Sequence, residues 1–254
     1  MTRILAIHAH PDDVEFQAAG TLAILAGLGH EIVIATMTPG DCGSREYPPD
    51  EIAMIRRREA ANAAALIGAK YFCVEFRDLA VFNDDASRRR VTEILRITRP
   101  QLVLAASPVD YHCDHEAASR LVRDACFAAP APNYDTKSSN PAPPIEAIPH
   151  LYYMDPVGGV EEDGRLVAPD FVVNVESTFE VKRRMLAEHV SQRRWLQQHH
   201  GTDDYIEAMS GWTRKRGELA GFAFGEGFRH YRGHPYPETP LLEELLAGRI
   251  AAFA

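Results

Sequence analysis

The chain has no stretch of about 18 consecutive apolar residues, so no membrane-spanning helix is expected. Cysteine is scarce: Cys42, Cys73, Cys113 and Cys126 are the four present, none in CxxC spacing, so neither a disulfide framework nor a thiol-based zinc cluster is visible. Basic residues are outnumbered, 27 Lys+Arg against 36 Asp+Glu, for a formal net charge of −9. Without a basic excess to neutralise phosphates, nucleic acid is not expected as a partner. Only Ile4–Ile7 is apolar near the start, too short for a signal peptide, which points to a cytoplasmic protein. There is no internal repeat, no low-complexity tract, and no G-x-G-x-x-G after the first apolar run to mark a dinucleotide site.

What is there suits a soluble enzyme-sized chain. The 254 residues are 46% hydrophobic and 25% charged, enough to bury a sizeable core in a single domain spanning 1–254. Short apolar runs at residues 3–7, 31–37, 70–76 and 101–106 predict buried strands. Between them, residues 15–28, 50–67, 85–98 and 115–127 carry helical spacing with stop signals such as Gly29 and Gly68. Strands alternating with helices of that length predict an α/β fold, a mostly parallel twisted sheet flanked by helices. Residues 128–149 hold six prolines and predict a long surface loop over the site. Two further strands (150–154, 171–175) and a helical C-terminal part (178–199 and 203–220) follow.

Two polar clusters fall where strands end. The first strand runs into His8-Ala9-His10-Pro11-Asp12-Asp13, and the fourth into Ser107-Pro108-Val109-Asp110-Tyr111-His112-Cys113-Asp114-His115. Open α/β sheets bind ligands at the carboxyl ends of strands where the strand order reverses, and a 3-2-1-4 order would bring strands one and four side by side there. Either cluster alone has an ordinary reading, such as Asp12-Asp13 capping a helix and facing its dipole. Together, five ionisable side chains at one sheet edge would be costly without a cation. Two imidazoles and a carboxylate form a common catalytic zinc shell with a fourth position open to water, whose pKa the ion lowers. A second carboxylate and a second imidazole could then serve as base and as partner of the intermediate.

His10-Pro11-Asp12-Asp13, Gly20-Thr21-Leu22-Ala23 and Asp110-x-His112-x-Asp114-His115 together resemble the PIG-L/LmbE-like family of metal-dependent N-acetylglucosaminyl deacetylases and amidases. The likeness extends to Arg56-x-x-Glu59 and to Phe224-Gly225-Glu226-Gly227-Phe228-Arg229. Cys113 and Ala19 depart from the family's common Pro and Gly, and His8 is an additional imidazole. The resemblance implies a Rossmann-like fold and one Zn2+ per chain, other divalent metals being possible, held by His10, Asp13 and His115. It implies Asp12 as general base, His112 as protonated partner of the oxyanion or leaving amine, Asp114 as the group orienting His112, and Arg56 as a substrate contact. The implied reaction is N-deacetylation of an N-acetylglucosamine-type sugar or conjugate. The alternatives are an amidase of a non-acetyl substrate such as a thiol conjugate, or a silent metal- or sugar-binding protein. A homo-oligomer with no membrane or nucleic-acid partner is expected. His189 and Gln192, on one stripe of the 178–199 helix, are candidate substrate contacts.

Overall fold

The computed structural model describes residues 1–161, 163–200 and 205–253. One eight-stranded sheet organises them, in the order β3-β2-β1-β4-β5-β7-β6-β8. The strands are β1 (Arg3–His8), β2 (Glu31–Thr36), β3 (Lys70–Cys73), β4 (Leu102–Ala105), β5 (His150–Met154), β6 (Phe171–Asn174), β7 (Gly225–His230) and β8 (Ile250–Ala252). The first five pair in parallel, as their alternation with helices requires. β7 then enters antiparallel between β5 and β6, and β8 closes the edge against β6. The sheet is therefore mixed but mostly parallel, with the expected 3-2-1-4 order at its centre.

The helices are α1 (Asp13–Gly27), α2 (Pro49–Ala65), α3 (Asp85–Thr98), α4 (Cys113–Ala128), α5 (Phe179–Ala187), α6 (Val190–His200), α7 (Tyr205–Leu219) and α8 (Leu241–Leu245). Successive residues of β1 point to opposite faces. Leu5 and Ile7 join one core with Val91, Leu95 and Leu121 of α3 and α4. Ile4 and Ala6 join the other with Val14, Leu22 and Leu25 of α1 and Met185 of α5. Both faces of the central strands are thus covered, which explains their unbroken apolar sequences. None of the helices among the described residues is long and apolar enough to cross a membrane.

Three expectations change. The helix predicted over 178–199 breaks between α5 and α6, because His189 turns inward to Glu15, its Nε2 3.5 Å from Oε1. No glycine or proline marks that break. The helix predicted from 203 is seen from Tyr205, and residues 203 and 204 lie outside the described residues. The Pro-rich segment is not over the site. It is strapped to α3, where Glu93 accepts from Thr136 Oγ1 (2.6 Å) and the Ala142 amide (2.7 Å), and Arg96 donates to Ala129 O and Ala131 O.

The late antiparallel strands are clamped to the first helix by one carboxylate. Glu226 of β7 accepts from the amides of Gly20 (2.9 Å) and Thr21 (2.7 Å) in α1, and from Lys182 Nζ of α5 (2.6 Å). Glu226 and Lys182 are buried, so each charge relies on the other. A Cβ on Gly20 would lie 2.8 Å from Val175 Cβ and 3.0 Å from Glu226 Oε1. Glycine to alanine in an ordinary helix interior stabilises by about 1 kcal/mol. Here Gly20→Ala is expected to destabilise by about 1–3 kcal/mol through overpacking, read as a lower urea midpoint at unchanged slope. A raised midpoint would contradict the clamp.

Candidate metal centre and active site

β1 and β4 lie side by side, so the loops leaving their carboxyl ends meet. After His8 the chain turns sharply through Pro11, and Asp12 adopts φ 102°, ψ −27°, a strained backbone for a residue with a side chain. Such positions cost about 1–3 kcal/mol and persist only where neighbours over-determine them. The neighbour here is Arg56 of α2, buried, which donates from Nη2 to Pro11 O at 2.8 Å. The β2–α2 loop admits the guanidinium because it carries glycine at 40 and 43, where any Cβ would collide with it. His112 forms the N-cap of α4, its Nδ1 accepting from the Asp114 amide at 3.1 Å.

His10 Nδ1, Asp13 Oδ2 and His115 Nε2 converge on a single point. Their separations are 3.2 Å between the two nitrogens and 3.4 Å from each nitrogen to the carboxylate oxygen. A tetrahedral ion with bonds of about 2.0–2.1 Å sets its ligand atoms about 3.3–3.4 Å apart, so this triangle fits one face of such a shell. The expected ligand set therefore has the shape of a divalent-metal site. His8 Nδ1 is 2.8 Å from Asp13 Oδ2, a hydrogen-bond distance shorter than the ligand spacing of a tetrahedral ion, which makes His8 an orienting neighbour of Asp13 in such a shell. Asp110 Oδ1 holds His115 Nδ1 at 3.0 Å and so fixes Nε2 toward the centre. Asp114 Oδ2 lies 3.2 Å from His10 Nε2 and accepts from the Leu79 amide at 2.6 Å. Its carboxylate thus supports His10, whereas the resemblance implied His112; only its backbone amide reaches His112.

The charges agree with a cation at this point. Burial would raise the Asp13 carboxyl, but His115 and His8 beside it and the hydrogen bond from His10 hold it well below the usual range. Burial would lower the His10 ring, but its hydrogen bonds to Asp114 and Asp13 lift it to about 10. The carboxylates thus favour positive charge here, whether proton or metal ion. Asp12 next door is pushed up by burial, against the opposing pull of Arg56, whose Nη2 lies 3.6 Å from Oδ2. Burial and the neighbouring His10 and His115 rings push His112 below the ordinary imidazole value. With Nδ1 accepting from the Asp114 amide, the His112 ring carries its proton on Nε2.

These groups end a cavity of about 630 Å³. Asp12, His112, Arg56 and Gln192 line it alongside the three ligand candidates. His189 does not: it is fully buried behind the wall against Glu15, and its expected role as a substrate contact is replaced by a packing one. The cavity also has residues the sequence did not single out, among them Phe16, Trp195 and Tyr205. Tyr205 hydrogen-bonds Asp12, and burial together with Asp12 and Asp13 keeps its hydroxyl protonated, so it donates. It opens α7, far from both motifs, and carried no local signal. Glu59 was visible only as part of Arg56-x-x-Glu59. It accepts from the amide and hydroxyl of Ser191 (2.9 and 2.6 Å) and so anchors the start of α6, which brings Gln192 and Trp195 to the cavity.

A family model described as PIG-L, GlcNAc-PI de-N-acetylase, matches residues 5–126, the segment that carries both strand-end clusters. A diacetylchitobiose deacetylase of Thermococcus kodakarensis is 26% identical over 244 residues, covering 91% of this chain and 84% of the relative. A 4-oxalmesaconate hydratase of Pseudomonas putida is 26% identical over 186 residues, covering 70% of this chain and 69% of the relative. Among solved structures, the N,N'-diacetylchitobiose deacetylase of Pyrococcus horikoshii superposes with a TM-score of 0.75 at 25% identity, covering 94% of this chain and 88% of that one. The family likeness read from the motifs therefore holds, and the Rossmann-like α/β fold with it.

The Asp110–His115 contact generates a test of the metal geometry. Asp110→Asn is expected to weaken divalent-metal binding about 10–100-fold, the usual effect of removing a ligand's orienting partner. Competition with a metal chelator measures it, and unchanged affinity would show that Asp110 does not position His115.

Proposed function

We propose, from the premise that residues 5–126 belong to the PIG-L family, that the protein is a zinc-dependent deacetylase. Its substrate is an N-acetylglucosamine-type sugar or conjugate, and His10, Asp13 and His115 hold the ion. The observation that carries this reading is the triangle of ligand atoms with Asp12, a carboxylate outside the ligand set, on the wall of the same cavity. A silent binding site has no use for such a group. When bound, the ion supplies polarisation of the acetamide carbonyl and a lowered pKa for water.

The chain's own residues do the rest. Asp12 accepts the proton of the attacking water. Arg56 and the Tyr205 hydroxyl favour its anionic form against the burial that opposes it. The same carboxyl can return that proton to the departing amine. His112 presents Nε2–H as a neutral donor to the oxygen that becomes negative as the carbonyl carbon turns tetrahedral. The resemblance implied a protonated His112; its lowered basicity favours the neutral donor instead. Arg56 is committed to Pro11 and Asp12, so its role is to hold the base. Gln192 is the substrate contact on α6. The same reading takes the chain as a single domain and cytoplasmic, as its length and composition suggest, and as homo-oligomeric, as the family resemblance implies.

Zinc-loaded protein is expected to release acetate from N-acetylated amino sugars. Asp12→Ala and His112→Ala should each keep the metal yet lose about 10²–10⁴-fold in kcat. Full activity in the Asp12→Ala protein would remove it as base. Turnover of an unsaturated acid by water addition, with no acetate from any acetamido sugar, would place the chain with the hydratase chemistry instead.

A further inference from the structure

The cavity wall carries apolar groups as well as polar ones. Beyond the metal-ligand candidates its wall is built from Phe16, Leu79, Tyr111, Val157, Trp195 and Leu196. Leu79 and Tyr111 are 62% and 74% exposed, which leaves two large apolar groups facing solvent at its mouth. A volume of about 630 Å³ lies well inside the range of about 300–1,000 Å³ for pockets that enclose drug-sized ligands, so there is room for a conjugate beyond one acetamido group.

Cationic side chains are few on this wall. Among the described residues Arg56 is the one lysine or arginine that lines it. The positions whose side chains lie outside the description, 162, 198–204 and 254, contain no Lys or Arg. Arg56 is already engaged by Pro11 O, Asp12 and Gly40 O. Of the neighbouring arginines, Arg77 is tied to Asp41 at 2.6 Å and Arg194 to Glu46 at 4.0 Å. Asp78 adds a further carboxylate to the wall, its Oδ2 accepting from the Cys42 amide at 2.8 Å. An aglycone carboxylate or phosphate held beside Asp78 would meet a like charge, with no uncommitted lysine or arginine on the wall to pair with it.

We propose that the cavity selects an uncharged conjugate, an acetamido sugar whose aglycone is an aromatic or hydrocarbon group packed on the Tyr111–Trp195–Leu196 side. Conjugates bearing carboxylate or phosphate are rejected. The reaction in this statement rests on the deacetylase reading; the charge selection rests on the wall alone. Aromatic faces give area and orientation to such a group, while the Asp78 carboxylate acts against its anionic analogue.

The test compares phenyl with 4-carboxyphenyl N-acetyl-β-D-glucosaminide, which differ by one charge at the aglycone. Acetate release is measured with metal-loaded protein. Binding is measured calorimetrically with metal-loaded Asp12→Asn protein, in which turnover is suppressed. The phenyl glycoside is expected to be favoured about tenfold or more in both kcat/KM and Kd. Tyr111→Lys, at an exposed position, is expected to narrow both ratios about threefold or more by supplying the missing cation. Equal affinity, preference for the carboxylate, or no binding of the phenyl glycoside overturns the inference. If neither glycoside releases acetate but the binding preference persists, the deacetylase reading fails and the charge selection stands.

Discussion

One carboxylate oxygen organises the functional end of this molecule. Asp13 Oδ2 lies 2.8 Å from a ring nitrogen of His8 and 3.4 Å from ring nitrogens of both His10 and His115. Two of those imidazoles lie at the end of β1 and the third in the first turn of α4, which follows β4, so the arrangement exists only because the two strands are neighbours at the centre of a parallel sheet. The distances divide the groups by role. The short contact orients the oxygen, and the two longer ones are edges of a coordination polyhedron. Negative charge at this point would oppose folding in an apolar setting, and it is tolerated because the His8, His10 and His115 rings around it favour the carboxylate anion.

The rest of the fold keeps that point rigid and shapes what can reach it. Arg56 holds the strained turn at Asp12 through Pro11 O, so the base is fixed by the same helix that borders the cavity. Glu59, one turn further along α2, anchors the start of α6 and with it the wall that carries Gln192 and Trp195. Glu226 joins β7 to α1 and α5, so the antiparallel part of the sheet is tied to the helix that begins at the metal-ligand loop. Three short motifs, Gly20-Thr21, Arg56-x-x-Glu59 and the Gly-Glu-Gly of β7, are the contact points of this frame. Each is short because a single charged side chain reaching backbone amides, carbonyls or a buried counter-ion does its work.

Legibility in the sequence followed the range of the interactions. Buried parallel strands and their helices announce themselves by local apolar runs and stop residues, and α3 and β5 fall on their expected bounds. The two strand-end clusters were legible because each is contiguous. β7 was not, since Gly225-Glu226-Gly227 breaks any apolar run and the segment becomes a strand only by pairing with β5 and β6. The inward turn of His189 was hidden for a similar reason: it is set by Glu15, a residue of α1. Tyr205 and Trp195 reach the cavity through tertiary packing of α6 and α7, which no local periodicity encodes.

The most direct measurement is a crystal structure of the zinc-loaded protein with anomalous scattering at the zinc edge. A single strong peak is expected about 2.0–2.1 Å from His10 Nδ1, His115 Nε2 and Asp13 Oδ2, with Asp12 outside the ligand sphere. A peak held instead by Asp41, Cys42 and Asp78, or one that leaves either His10 or His115 unbound, would contradict the account.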